Sequence, residues 1–152
     1  MLEPEHQLKL LVQHRPWEIE PDSAEWEDAF TGYRCRIRRH PELQHLNGYV
    51  GIPKGHKVYG LGYDHDDVDI KVHGELTYSD THDDGLHWFG FDCGHAGDLV
   101  PGVLLSLVHM ETMPRMLGHD IYRTWEYVEN EVTHLALMLW RIQKYEQARA
   151  ND

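Results

Sequence analysis

Four side chains that can carry acid–base chemistry lie in the middle of the chain. His73 follows an alternating run of apolar and polar residues, and Asp92, His95 and Asp98 lie close together in segment 92–98. Histidine and aspartate are suited to general acid–base catalysis near neutral pH. We therefore expect these four residues to form a catalytic site.

The same residue types also bind zinc, manganese or iron. A divalent metal held by His73, Asp92 and His95 is the alternative, although their spacing matches no zinc motif such as His-Glu-x-x-His.

Other residues suit a nucleotide-type ligand. Lys54 and His56 lie among glycines in segment 51–56, where they would meet a phosphate, although this segment is not a Walker loop. Tyr49 and Trp88 have rings on which a base would stack. These four residues are the predicted substrate-binding set.

A predicted hairpin would bring the acid–base residues together. Val68, Ile70 and Val72 alternate with polar residues, and segment 86–93 has a second alternating pattern. If the hairpin centre lies between His82 and Asp83, His73 pairs with Asp92 on the polar face. The opposite face would be core and would include Cys93, which is expected to be a buried thiol rather than a nucleophile.

A less specific interpretation of the same residues stays open. His73 would then be a solvated strand residue, and Asp92 would cap the following loop. The acidic run at residues 63–67 has carboxylates enough for a cation but lacks the glycine and glutamate of a calcium loop. A solvated loop is the preferred interpretation there.

The remaining patterns predict an α+β fold, an antiparallel β-sheet packed against a long C-terminal amphipathic helix. Trp17, Trp26 and Phe30 are expected as core anchors. The predicted helices are residues 6–14, 24–30 and about 25 residues starting near Ile121; the predicted strands are 33–38, 48–53, 67–77 and 86–93; segment 103–113 is ambiguous.

The C-terminal helix has apolar residues at alternating steps of four and three, from Ile121 to Ile142. This stripe is expected to pack across the sheet. The same spacing suits a coiled-coil seam, so a homodimer is the alternative.

Composition limits the class of protein. Residues 1–152 are expected to form a single domain, and the two cysteines are typical of a reducing cytoplasm. No apolar run approaches the length needed to span a bilayer, and the first residues are not expected to be a signal peptide. The net charge of −12 disfavours direct nucleic-acid binding and would suit either solubility or a basic protein partner.

Four segments carry a resemblance to a known family. They are Asn47–His56 (NGYVGIPKGH), Val72–Tyr78 (VHGELTY), Gly90–Asp98 (GFDCGHAGD) and Tyr122–Val128 (YRTWEYV). They resemble a widespread family of small phage and prophage proteins that usually have no assigned function. The second motif of that family often has a further glycine where this chain has Glu75. The resemblance implies a phage origin and a host-cell cytoplasmic location, and it implies no particular reaction.

Phage accessory proteins often counter host defences, which directs attention to nucleotide immune signals. The leading hypothesis is a small hydrolase or phosphodiesterase acting on a nucleotide-type substrate. The alternatives are a non-catalytic protein that sequesters such a signal and an acidic inhibitor of a host defence protein.

Overall fold

A computed structural model describes residues 3–150 and shows a sheet with helices around it. In this part of the chain the elements are α1 (Pro4–His14), α2 (Pro16–Ile19), β1 (Ser23–Glu27), β2 (Arg34–Arg39), β3 (Leu46–Ile52), β4 (Tyr78–Thr81), β5 (His87–Asp92), α3 (Pro101–Leu107), α4 (Met113–Leu117) and α5 (Trp125–Ala150).

The sheet has the order β1-β2-β3-β5-β4, and every neighbouring pair is antiparallel. The predicted strands at 33–38, 48–53 and 86–93 are confirmed as β2, β3 and β5. The chain leaves β3 through residues 53–77 before it returns as β4 at the edge of the sheet, and β5 lies between β3 and β4. This order places the end of β5 beside the start of β3.

The long helix α5 packs against β3 and β2, which confirms the predicted α+β fold. Its buried stripe faces Phe89 and Phe91 within one core. Gly48 of β3 allows close packing, because an added Cβ would lie 2.6 Å from both Phe91 and Val132. The apolar stripe of α5 therefore packs against the sheet of the same chain, as the first of the two interpretations expects. A homodimer stays a prediction. The buried helix residues are Val128, Val132, Leu135, Ala136 and Leu139.

The predicted helix at residues 24–30 is wrong, because Ser23–Glu27 is the edge strand β1. Glu25 pairs with Arg34 and Arg36 across the strands, while Trp26 packs against the core. Cross-strand pairing therefore prevails over the helix-start signal of the preceding residues. Phe30 is 69% exposed and is not a core anchor, whereas Trp17 is buried.

The predicted strand at residues 67–77 is also wrong, since this segment is irregular. Val68 and Ile70 are buried as expected, but they belong to a loop that lies over the core. The predicted pairing of His73 with Asp92 fails as well. Asp92 is opposite Asn47, and the other neighbour of β5 is β4, with Tyr78 opposite Gly90.

A second, smaller apolar cluster joins the helices outside the sheet. The predicted helix at residues 6–14 is confirmed as α1, and α3 accounts for part of the ambiguous segment 103–113. The members of this cluster are Leu8, Trp17, Leu99, Leu104, Met113, Leu117 and Tyr122. Among residues 3–150, none of the helices is both long and apolar enough to cross a membrane.

Candidate functional site

The sheet face opposite α5, here called the outer face, carries polar residues in cross-strand rows. One row joins Arg38, Asn47 and Asp92 on β2, β3 and β5. Directly paired residues point to the same face, so these three side chains project together. The row lies where β5 ends, and the chain then turns into segment 93–98. The candidate site is at this end of the outer face.

Asp92 and His95 form a dyad at that position. Nδ1 of His95 lies 3.1 Å from Oδ1 of Asp92 and 3.1 Å from its backbone carbonyl oxygen. Both neighbours are acceptors, so Nδ1 carries the proton and Nε2 carries the lone pair. Among the described residues, nothing hydrogen-bonds to Nε2, and both side chains are 34% exposed. The dyad therefore leaves Nε2 of a partly exposed histidine without a partner among the described residues.

Other hydrogen bonds hold the Asp92 carboxylate in place. The backbone N–H of Gly94 donates to Oδ1 at 2.9 Å, and the hydroxyl of Thr77 donates to Oδ2 at 3.2 Å. A carboxylate with these fixed donors keeps its orientation, and it in turn orients the imidazole of His95.

The Asp98 side chain fixes the backbone of segment 93–98 by a hydrogen bond. Its Oδ2 accepts the N–H of His95 at 3.1 Å, and its Oδ1 accepts Nε–H of Arg123 at 2.9 Å. Burial raises the pKa of Asp98, but hydrogen bonds from His73, Arg123 and His95 outweigh burial and lower it. Asp98 is therefore an anion enclosed by donors, with only 1% of its side chain exposed.

His73 belongs to this buried network rather than to the exposed dyad. Its Nε2 donates to Asp98 at 2.8 Å, and its Nδ1 accepts the phenol of Tyr127 at 2.7 Å. Both ring nitrogens are thus engaged, and the side chain is 11% exposed. His73 can position the dyad through Asp98, but it has no free nitrogen for a substrate.

The His73 backbone approaches the dyad through Gly74. A Cβ on Gly74 would lie 2.5 Å from Nδ1 of His95, and its φ is +62°. Glu75 also adopts a positive φ, +67°. The left-handed region disfavours residues with a side chain, so a glycine at position 75 would fit this backbone well. Glu75 therefore adopts the turn at a conformational cost.

Two further polar groups lie beside the dyad. Nδ1 of His45 and Oδ1 of Asn47 are buried atoms without a hydrogen-bond partner among the described residues. Burial lowers the pKa of His45, and the neighbouring His40 lowers it further. The His45 ring passes close to Gly94, where an added Cβ would be 3.1 Å from Nε2. Unpartnered buried polar atoms are uncommon and occur where a water or ligand completes a site.

The predicted phosphate-binding residues lie elsewhere. The far end of β3 is five residues from Asn47, which is roughly 17 Å along a strand. Lys54 and His56 follow that end. Nε2 of His56 bonds to the Leu139 carbonyl at 2.8 Å, and Nδ1 accepts the N–H of Val58 at 3.1 Å. His56 is buried and connects the loop to α5, while Lys54 is exposed.

The two predicted stacking residues have different environments. Trp88 is fully buried, and the guanidinium of Arg36 lies 4.1 Å from its ring centroid. It is therefore closed to a base. Tyr49 is partly exposed on the outer face, in the row next to Asn47, and meets the ring of Tyr78 edge-on. Of the two residues, only Tyr49 lies beside the dyad.

The predicted metal set does not form. Within residues 3–150, no group of three or more His, Cys, Asp or Glu side chains is arranged to hold a metal ion. His73 is turned to Asp98 and Tyr127, away from the exposed nitrogen of His95. The expectation for Cys93 is confirmed, because it is 1% exposed and burial raises the pKa of its thiol.

The structure therefore joins Asp92, His95, Asp98 and His73 in one network, through hydrogen bonds that differ from the predicted hairpin pairing. Sequence reasoning missed Arg123 and Tyr127, although both lie in the quoted motif at residues 122–128. It also missed His45, whose relation to Gly94 depends on the β3–β5 register. The chain matches none of the family models, curated proteins or solved structures with which it was compared.

Proposed function

We propose that this chain is a small hydrolase that cleaves phosphate esters of the nucleotide type, with His95 as the general base. The observation that carries the proposal is the Asp92–His95 dyad, in which Nδ1 of His95 faces two acceptors and Nε2 has no hydrogen-bond partner among the described residues. The same tautomer logic serves hydrolytic triads, where a carboxylate orients a histidine that takes a proton from the nucleophile.

The reaction would proceed by attack of water on phosphorus. Nε2 of His95 takes one proton from the water as the new P–O bond forms, and the bond to the leaving oxygen breaks. The imidazolium is stabilised by the Asp92 carboxylate and then returns its proton to the leaving oxygen. One water is consumed, and the products are a phosphate monoester and an alcohol.

His73 and Asp98 act as positioning residues in this proposal. Asp98 binds the N–H of His95, and His73 fixes Asp98 while Gly74 packs against the His95 ring. Pre-organisation of this kind matters because small displacements of a catalytic group reduce the rate strongly. Tyr49, in the row beside Asn47, supports a substrate with an aromatic base.

Sequestration of a nucleotide without turnover is the second candidate. It is favoured because His45, the histidine next to Gly94 in the described part of the chain, has a pKa that burial lowers, which makes it a poor second acid. The same outer face would bind the ligand. The resemblance to phage proteins fits either activity as a counter to a nucleotide signal in the host cytoplasm. The net charge of −12 leaves an acidic inhibitor of a host defence protein as a third candidate.

A product assay separates these candidates. Linear dinucleotides and cyclic dinucleotides are incubated with the wild type, His95→Ala and Asp92→Asn, and the products are separated by chromatography. The hydrolase proposal predicts a phosphate monoester product and a loss of at least about 10²-fold in both variants. Binding without product would favour sequestration, and the absence of both would leave the inhibitor.

A further inference from the structure

Arg38 is the cation that faces the dyad across the sheet. We infer that Arg38 binds the phosphate of the substrate while Tyr49 and Tyr78 contact its base, so the site takes a nucleoside phosphate. This inference rests on the proposed function and assigns the substrate contacts that the sequence analysis expects of Lys54, His56 and Trp88.

The first argument is that Arg38 has no internal partner. The other arginines of β2 are neutralised: Arg34 and Arg36 bind Glu25 at 3.2 and 3.0 Å. Arg39 turns to the other face and binds Glu20 at 3.2 Å. Among the described residues, Arg38 makes no ion pair and no hydrogen bond through its side chain, and it is exposed. An unpaired arginine on a chain of net charge −12 is complementary to an anion.

The second argument is the cross-strand geometry. Arg38 is opposite Asn47, and Asn47 is opposite Asp92. Neighbouring strands are about 4.8 Å apart, so the backbones of Arg38 and Asp92 are roughly 10 Å apart. A phosphate lying over Asn47 would be within reach of the long Arg38 side chain on one side and of the His95 dyad on the other. The guanidinium would also offset the repulsion between the phosphate and the Asp92 carboxylate.

The third argument is the aromatic row beside this one. Tyr49 lies opposite Gly90, whose missing side chain leaves room for the ring, since an added Cβ would be 2.4 Å from it. Tyr78 lies on the other side of Gly90 and meets Tyr49 edge-on, with ring centroids 5.6 Å apart. Successive rows on one face are roughly 7 Å apart, a distance that a single nucleotide can bridge.

Electrostatics connects the two rows. Burial raises the pKa of Tyr49 and of Tyr78, and the charge of Arg38 lowers both. The charge of Arg36 acts in the same direction on the pKa of both phenols. A nucleotide unit of a phosphodiester, with its base on the tyrosines and its phosphate over Asn47, would place that phosphate between Arg38 and the His95 dyad.

Calorimetry with adenosine 5′-monophosphate and adenosine tests the assignment. Both ligands are titrated into the wild type, Arg38→Gln and Arg34→Gln, each also with His95→Ala so that turnover cannot mask binding. Arg34 is the matched control, because it lies on the same strand and face but is bound to Glu25. We expect Arg38→Gln to weaken adenosine 5′-monophosphate binding by at least about 10-fold and adenosine binding by less than about 2-fold. Arg34→Gln should change neither affinity.

Equal effects of Arg38→Gln and Arg34→Gln on adenosine 5′-monophosphate would overturn the inference. So would a wild type that binds neither ligand. The two proposals can be distinguished. Hydrolysis of a dinucleotide that depends on His95 but not on Arg38 would keep the hydrolase and remove only the assignment of Arg38.

Discussion

Nε2 of His73 lies 2.8 Å from Oδ1 of Asp98, and both side chains are almost completely enclosed. The sequence pattern places His73 on the polar face of a predicted hairpin. The structure separates His73 from His95. His73 connects loop 53–77 to Asp98 and α5, whereas His95 is half-buried with a free nitrogen.

The first prediction follows from this separation. His73→Ala should lower the free energy of unfolding by about 2–3 kcal/mol, because it removes a donor from a buried carboxylate. His95→Ala should change it by about 0.5 kcal/mol or less. Urea unfolding measures both values. Equal stability losses in the two variants would contradict the division into a positioning and a reacting histidine.

The second prediction concerns the turn at residues 74 and 75. Glu75→Gly should stabilise the protein by about 1 kcal/mol, because it relieves a positive φ of +67° at a residue with a side chain. Gly74→Ala is the matched contrast and should destabilise it, since the new Cβ would meet His95 at 2.5 Å. Thermal unfolding of the two variants decides the matter. A stabilising alanine at position 74 would show that the turn differs from the one described.

The third prediction is a pH dependence of stability. Burial lowers the pKa of His56, and protonation would break the bond that Nδ1 accepts from Val58. Between the lowered folded pKa and the unfolded value near 6.5, the unfolded chain binds more protons. Stability should therefore be full above pH of about 6.5 and fall below it, by at most about 1.4 kcal/mol per pH unit for this histidine.

Unfolding curves between pH 7.5 and 5.5 measure this effect. His56→Gln should flatten the dependence, while His14→Gln, at an exposed position, should leave it unchanged. His45 is also buried with a lowered pKa, so part of the slope should persist in His56→Gln. A slope that is identical in the wild type and His56→Gln would refute this role for His56.

The fourth prediction concerns the core under α5. Phe91 is 1% exposed, and its ring lies next to Val132 where a Cβ on Gly48 would be. Phe91→Ala should cost about 3–5 kcal/mol by leaving a cavity. Phe30→Ala is the control, because Phe30 is 69% exposed and meets only the ring of Trp140 among the aromatic residues described; it should cost about 1 kcal/mol or less. Similar costs at both positions would argue against this core.

Much of the fold was predictable because its strongest patterns are local. The period of α5 and the alternation of β2 are set by burial on one face, which the residue types record directly. The alternation of Val68, Ile70 and Val72 led to the wrong prediction of a strand, since loop residues that cover a core can also be buried at every second position. Without a ladder partner for this segment, alternation alone does not make a strand.

The site was predictable in its members but not in its connections. His73, Asp92, His95 and Asp98 meet, yet His73 reaches the others through Asp98 rather than through a strand register. Positive φ angles at Gly74 and Glu75 turn the loop, and the type of a single residue rarely predicts such a turn. Sequence analysis did not single out Arg38, because Arg38 is notable only for lacking an ion-pair partner. That lack depends on Glu25 binding both Arg34 and Arg36.

The central claim is that Asp92 holds the proton of His95 on Nδ1 and leaves Nε2 free. Nitrogen-15 NMR of the imidazole rings at neutral pH tests it most directly, with His73→Gln and His95→Gln to assign the signals. We expect His95 to have a protonated Nδ1 and an unprotonated Nε2, and His73 to have the opposite tautomer because Asp98 accepts from its Nε2. In Asp92→Asn, the backbone carbonyl of residue 92 still accepts from Nδ1, so the preference of His95 should weaken without reversing, while that of His73 persists. A wild-type His95 that carries its proton on Nε2 would contradict the account.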